Sequence, residues 1–169
     1  MVWARTKLLI WDYIFEPVKD LRIDIMGKTP EKFYPKINEQ VRSIFNIPDA
    51  YVQEKKYKWE KGKDMESFEV EWEVTKVFDI FSYITVVIEL KGFTINGEGK
   101  ATIRLKPRLI TEYPQDTIWQ QNILYEMLRR FWHEAFYQKK RMEYLNTGKE
   151  LLVSFEQSLK KYGQELNKG

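Results

Sequence analysis

The sequence predicts an α+β domain in which an antiparallel β-sheet wraps a long C-terminal helix. Apolar and polar residues alternate between residues 51 and 113, which is typical of sequential antiparallel strands. Apolar residues recur at helical spacing between residues 114 and 144, and a shorter helix is expected in the N-terminal half. The 169 residues can bury one substantial core, so we expect a single domain covering residues 1–169.

The composition excludes several kinds of partner and site. The 28 basic and 25 acidic side chains leave a net charge of only +3, which does not by itself indicate a nucleic-acid partner. The chain has no cysteine, which excludes disulfides, thiolate metal sites and cysteine nucleophiles and fits a reducing compartment. No apolar run approaches the roughly 18 residues of a membrane span. We therefore expect a cytoplasmic protein without a cofactor, and the many Lys and Glu residues are consistent with a thermophile.

The N-terminal segment allows two interpretations. Residues 7–15 are rich in β-branched and aromatic side chains, which favours a strand. Their apolar residues also recur at helical spacing, which fits a helix over residues 3–15. A second short strand is predicted over residues 21–26, and residues 16–20 would connect the two strands as a hairpin.

A helix is predicted to begin near Thr29. Thr29 is a suitable N-cap, and Pro30 fits the first helical position. The helix should end before Pro48. The residues of its apolar face are Phe33, Tyr34, Ile37, Val41, Ile44 and Phe45.

Four strands are expected between residues 51 and 113. In the most regular of them, the apolar residues from Phe68 to Val74 alternate with three glutamates, which predicts one buried face and one face in solvent. The dipeptide Asn96-Gly97 is a strong signal for a hairpin between the last two strands. Strands that follow one another in this way predict a meander.

The segment 114–144 carries an apolar arc of about 180° centred near Phe131. A helix that lies on one sheet needs a narrower arc. We therefore expect the sheet to cover one flank of this helix and a second element to cover the other. Arg129, His133 and Lys140 would then be left in solvent.

The end of this helix is predicted from a capping box. Thr147 is followed three residues later by Glu150, which indicates a break and the start of an additional C-terminal helix. That helix would be the second element covering the long one. Its apolar stripe consists of Leu152, Phe155, Leu159, Tyr162 and Leu166.

The order of these elements resembles that of the helix-grip proteins, the START and Bet v 1-like superfamily that includes polyketide cyclase-like domains. The matching parts are LRIDIMGKTPEKFYPKI (residues 21–37), the strands between residues 51 and 113, and the helix from Pro114. The resemblance implies a sheet curved around the long helix. It also implies an apolar cavity between them for a lipid, hormone or polyketide-like ligand.

Three polar residues break otherwise apolar faces and are candidates for the lining of such a cavity: Asp12, Lys76 and Gln138. The alternation of its strand directs Lys76 inward, beside Trp72 and Phe78. The alternative is a bulge or a strand end at Lys76, which would let its ammonium group reach water. His133 is the only histidine, which excludes a histidine-rich metal site.

We expect a binding module for a small apolar or amphipathic ligand. If the aromatic residues fill the space completely, the protein is instead a scaffold, or binds RNA or another polyanion through its basic C-terminal clusters. A third hypothesis is a cyclase- or hydrolase-type enzyme that uses Asp12 with Lys76. The aromatic residues expected to form the walls are Tyr57, Trp59, Phe68, Trp72, Phe78, Phe131 and Trp132. The basic clusters are Arg129-Arg130, Lys139-Lys140-Arg141 and Lys160-Lys161.

Overall fold

The computed structural model of the chain describes residues 6–115, 117 and 119–168, and it shows the predicted α+β class. The strands are β1 (Thr6–Tyr13), β2 (Leu21–Lys28), β3 (Val52–Lys61), β4 (Met65–Val77), β5 (Ser82–Ile95) and β6 (Glu98–Gln115). The helices are α1 (Phe33–Phe45), α2 (Ile123–Trp132) and α3 (Gln138–Lys168). The π-helical turn His133–Tyr137 joins α2 to α3, so that the last two helices form one continuous helix.

The strands form one antiparallel sheet in the order β1-β6-β5-β4-β3. The meander from β3 to β6 is as predicted. Strand β6 is long enough to pair with two strands, because β2 lies along its first half and β1 along its second. The strand interpretation of the N-terminal segment is confirmed. The expected β1–β2 hairpin is wrong, since each strand takes its hydrogen bonds from β6.

Two turns follow directly from local sequence. Asn96 and Gly97 both have positive φ, 51° and 84°, which is the backbone of a two-residue hairpin turn and confirms the predicted β5–β6 hairpin. Between β4 and β5, the Asp79 carboxylate accepts hydrogen bonds from the backbone N–H groups of Phe81 (2.8 Å) and Ser82 (2.7 Å).

A short 3-10 turn begins at Pro30 and leads into helix α1. The helix ends before Pro48, as expected. Thr29 does not act as the predicted N-cap. Its backbone is left-handed (φ 48°, ψ 52°), and its side chain makes no capping hydrogen bond. The left-handed residue Asn46 ends the helix instead of a glycine.

The core lies between one face of the sheet and two helices. The alternating apolar residues of β4, β5 and β6 pack against α1 and against α3 from Leu152 onward. The opposite sheet face carries ion pairs such as Glu69 with Lys91 (2.7 Å). Hydrogen bonds from Lys56 and Lys91 lower the pKa of Glu69 to about 2. The largest fully buried side chains include Trp72, Phe33, Phe45, Phe155, Ile84, Ile88, Leu90 and Leu105.

The helix does not break at Thr147. The Thr147 hydroxyl donates to the carbonyl of Glu143 one turn back (3.0 Å), as in a helix interior, and does not cap a new helix. The additional C-terminal helix is therefore the continuation of the long one. Buried Gly148 brings this helix close to the sheet, because a Cβ at this position would lie 2.4 Å from Cδ1 of Ile84.

The orientation of α2 is opposite to the prediction. Its apolar arc faces solvent, with Leu128 68% and Phe131 66% exposed, whereas Arg129 is only 8% exposed. The prediction failed because the sheet edge beneath this helix offers polar and aromatic partners. We call Ile123, Leu124, Met127, Leu128 and Phe131 the outer stripe. No described helix is both long and apolar enough to cross a membrane.

Candidate functional site

The N-terminal half of the long helix crosses one end of the sheet with a polar inner face. Its inward side chains recur every four residues: Tyr125, Arg129, His133, Tyr137 and Arg141. In an α-helix each four-residue step overshoots a full turn by about 40°, so such a row would drift off the sheet. The π-helical turn, in which the N–H of Gln138 donates to the carbonyl of His133, accommodates one extra residue and so offsets about 100° of this drift.

A buried hydrogen-bond chain links the helix to the β4–β5 turn. The Tyr137 hydroxyl lies 2.7 Å from Ser82 Oγ and 3.0 Å from Asp79 Oδ2, and Ser82 Oγ lies 2.8 Å from Thr111 Oγ1. Tyr144 donates to the same carboxylate at 3.0 Å. Burial raises the pKa of Tyr137, which keeps its phenol protonated as a donor.

Arg141 extends this chain to the edge strand. Its Nε donates to Thr111 Oγ1 at 3.1 Å, and its Nη1 pairs with Asp12 of β1. Its buried Nη2 has no hydrogen-bond partner among the residues that the structure describes. Asp12, predicted as a cavity lining residue, therefore serves as the counter-ion of a buried guanidinium.

Arg129 is also buried, but its positive charge has a weaker counter-ion contact than that of Arg141. Its Nη2 lies 3.4 Å from Glu126, whose carboxylate is 56% exposed. Within the described part of the chain, buried Nη1 has no hydrogen-bond partner. The guanidinium lies 5.7 Å from the ring centre of Tyr113 and 5.8 Å from that of Tyr125, which is cation–π distance. The positive charge of Arg129 is thus held mainly between aromatic rings.

Tyr113 and His133 share a hydrogen bond between the phenol oxygen and Nδ1 at 2.7 Å. Burial raises the pKa of Tyr113 to about 12. Burial and the nearby charge of Arg141 lower the pKa of His133 below its ordinary value of 6.5. His133 is therefore neutral at pH 7, and it is only partly exposed, unlike the prediction that placed it in solvent.

The only histidine of the chain makes this electrostatic arrangement measurable. Proton NMR titration of His133 is expected to give a pKa below 6.5, and Arg141→Met is expected to raise it because a nearby positive charge is removed. The stability of the folded state should decrease as the pH falls through this window, since the unfolded chain binds the proton more readily. A wild-type pKa at or above 6.5 would contradict this description.

Two pockets lie on either side of Tyr113 and Arg129. The larger, which we call the helix–sheet pocket, has a volume of about 460 Å³, and the smaller has a volume of about 340 Å³. Both are within the range of small-molecule sites. The helix–sheet pocket is lined by Phe81, Tyr113, Gln120, Tyr125, Leu128, Arg129 and Trp132. The smaller is lined by Ile10, Tyr113, Glu126, Arg129, Arg130, His133 and Glu134.

The predicted polar lining residues separate in the structure. Lys76 lies next to the C-terminal end of α1, where its Nζ donates to the carbonyl of Asn46 at 3.4 Å, and β4 continues through it to Val77. Asp12 pairs with Arg141, so Asp12 and Lys76 do not form an acid–base pair. Gln138 hydrogen-bonds His133 beside the polar cluster.

The predicted wall residues also fall into separate groups. Tyr57 stacks on Trp59 and Trp59 on Phe68, at centroid distances of 5.9 and 5.1 Å on β3 and β4, and Trp72 is buried in the core. Of the others, Phe78 stacks on Tyr144 at 4.6 Å, Phe131 lies on the outer stripe, and Trp132 lines the helix–sheet pocket.

Sequence reasoning missed Tyr113, Tyr137 and Arg141 and assigned Arg129 and His133 to solvent. The signal that could have found most of them is the four-residue repeat of large polar side chains on the helix. The basic clusters do not form one cationic face, because Arg129 points inward and Arg130 pairs with Glu134 (3.3 Å). Lys160 pairs with Glu156 (2.7 Å).

The comparisons with known proteins leave the function open. No protein-family model matches the chain, and a search of curated proteins finds no significant match. The antiparallel sheet with a long C-terminal helix is compatible with a helix-grip fold.

Proposed function

We propose that this protein binds a small amphipathic anion, such as an alkyl or aryl carboxylate, in the helix–sheet pocket. Membership of the helix-grip superfamily, whose members bind ligands between sheet and helix, is part of this proposal. The observation that carries it is the buried, weakly compensated guanidinium of Arg129 in a pocket with aromatic walls, whose other described lining residues are uncharged.

The electrostatics of the pocket favour an anion. A buried guanidinium whose carboxylate contact is as long as 3.4 Å, to a half-exposed side chain, retains much of its attraction for negative charge, because little water screens it. A ligand carboxylate could replace the long contact to Glu126 with a charge-assisted hydrogen bond of ordinary length. Among the residues that the structure describes, the lining contains no carboxylate, and Glu126, which contacts Arg129, lies outside it.

The remaining walls suit an apolar tail. Phe81, Tyr113 and Trp132 form a cluster of rings whose centroids are 5.3 to 6.5 Å apart, and Leu128 adds an aliphatic edge. These side chains give affinity through burial of apolar surface without demanding a particular shape. The proposed ligand therefore has one anionic end and an apolar body.

The charge requirement can be tested with decanoate and its methyl ester. Titration calorimetry is expected to show binding of decanoate and at least about tenfold weaker binding of the ester, since a hydrogen bond to a charged group contributes about 1.5–3 kcal/mol. Native mass spectrometry of freshly purified protein, followed by organic extraction, would identify a ligand that copurifies. Equal binding of acid and ester would contradict the anion site.

Arg129→Gln is expected to weaken decanoate binding about 10- to 100-fold, because it removes the one charged side chain among the described lining residues. The matched control is Arg130→Gln, which removes the adjacent, exposed guanidinium outside the helix–sheet pocket and should leave the affinity unchanged. Thermal unfolding of both variants would verify that they are folded. If the two substitutions weaken binding equally, Arg129 is not the anion partner.

A further inference from the structure

The outer stripe is a large apolar surface on a helix whose other side is already packed. Its five residues are 61–71% exposed, and Trp119 and Phe136 at its ends are each 67% exposed. Together they present an apolar area on the order of 1,000 Å², against roughly 300–600 Å² for the largest patch of a typical monomer. This area is comparable to the roughly 800 Å² that each partner contributes to a standard interface.

The charges beside the stripe favour a second copy of the chain as its partner. Arg130 pairs with Glu134 along one edge, and Glu126 lies one turn before Arg130. This rim is nearly neutral, so two identical surfaces would not repel each other. A helix that binds a membrane surface instead carries an excess of Lys and Arg beside its apolar face.

The spacing of the stripe also allows it to pair with itself. In an antiparallel arrangement with the twofold axis between Met127 and Leu128, each large residue meets another large residue of the second copy. Leu124 would face Phe131, and Met127 would face Leu128. At one end of the helix, Ile123 would face Trp132, which also lines the helix–sheet pocket. In an isologous contact of this kind, the same surface of each copy is buried against the other.

We propose that the protein forms a homodimer by antiparallel pairing of the outer stripe. The proposal does not rest on the ligand pocket, although Leu128 and Trp132 belong to both surfaces. Burial of the stripe in the dimer would remove the exposed apolar surface that the monomer presents.

Sedimentation velocity tests the dimer directly. The wild-type protein is expected to sediment at micromolar concentration with twice the 20.5 kDa mass of the chain. Phe131→Glu should raise the dimer dissociation constant at least about 100-fold, since it places a carboxylate in the centre of an apolar contact. Phe131 does not line either pocket near Arg129, so ligand binding would be retained.

The matched control is Ile80→Glu on the β4–β5 turn. Ile80 is 88% exposed and lies outside the outer stripe, so this variant should remain dimeric. A wild-type protein that stays monomeric at 100 µM would overturn the proposal. If that monomer also floats with phospholipid vesicles, the stripe binds a membrane surface instead.

The absence of native cysteine allows the register to be tested by disulfide crosslinking of single introduced thiols. Met127→Cys, next to the proposed axis, should crosslink to itself, whereas Phe136→Cys should not. A mixture of Leu124→Cys and Phe131→Cys should give the mixed dimer. Efficient self-crosslinking at all four positions would indicate parallel helices and overturn the antiparallel register.

Discussion

Replacing Gly148 by leucine is expected to lower the free energy of unfolding by about 3 kcal/mol or more, because the new side chain has no space between the helix and the sheet. Even a Cβ at Gly148 would lie 2.4 Å from Ile84 Cδ1 and 3.1 Å from Ile14 Cδ1, and both isoleucines are fully buried. Denaturant unfolding would measure the loss. A change of less than about 1 kcal/mol would mean that the helix does not approach the sheet this closely.

Gly163 provides a control at which substitution is expected to raise the free energy of unfolding. It is buried in the same helix, but a Cβ there would meet Phe33 Cζ at 3.4 Å and Ile25 Cγ2 at 3.6 Å, which are ordinary contacts. Gly163→Ala is therefore expected to stabilise the protein by up to about 1 kcal/mol through its higher helix propensity. Gly148→Ala has the same propensity gain and should still be the less stable of the two alanine variants.

Asp79→Ala is expected to lower the free energy of unfolding by about 3 kcal/mol, since the loss of one carboxylate leaves several buried donors without an acceptor. The carboxylate is only 16% exposed and accepts from two backbone N–H groups and from the hydroxyls of Tyr137 and Tyr144. For a chain of this length, the midpoint temperature of thermal unfolding should fall by roughly 6–12 °C. Asp79→Asn, which retains one acceptor oxygen, should cost less than Asp79→Ala.

The contribution of Asp79 should also depend on pH. Burial raises its pKa, but the hydrogen bonds from the N–H groups of Phe81 and Ser82 and from the two tyrosine hydroxyls together outweigh burial, so the folded-state pKa lies below its ordinary value of 3.8. The unfolded chain therefore binds this proton more readily, and the stabilisation is lost as the pH falls through the folded-state pKa. The stability difference between wild type and Asp79→Asn should be largest near neutral pH and shrink below about pH 4. A difference that is constant down to pH 3 would contradict the role of the ionised carboxylate.

Local patterns were sufficient to predict the meander from β3 to β6. The alternation from Phe68 to Val74 reports which side chains are buried, and Asn96-Gly97 has the backbone preference that the β5–β6 turn requires. The pairing of β1 and β2 with one strand was not predictable in this way, because it depends on the length of β6 and on partners distant in sequence.

The candidate site was not predictable from local patterns. The helical periodicity of residues 114–144 correctly indicates two faces, but it does not state which face meets the sheet. Burial of Arg141 depends on Asp12, which is 129 residues away in the chain, and on Thr111 at the sheet edge. The four-residue repeat of the inner face also differs from the 3.6-residue period that the prediction assumed.

The π-helical turn His133–Tyr137 sets the rotational phase of the long helix. On its C-terminal side the helix is anchored in the core by Leu152, Phe155 and Leu159. Inserting or deleting one residue within the turn would rotate the N-terminal half by about 100° relative to that anchor. Such a rotation would carry Arg129 away from its pocket and move the outer stripe toward the sheet edge. The length of this turn, more than the identity of any one side chain in it, therefore decides which surface the helix presents to solvent.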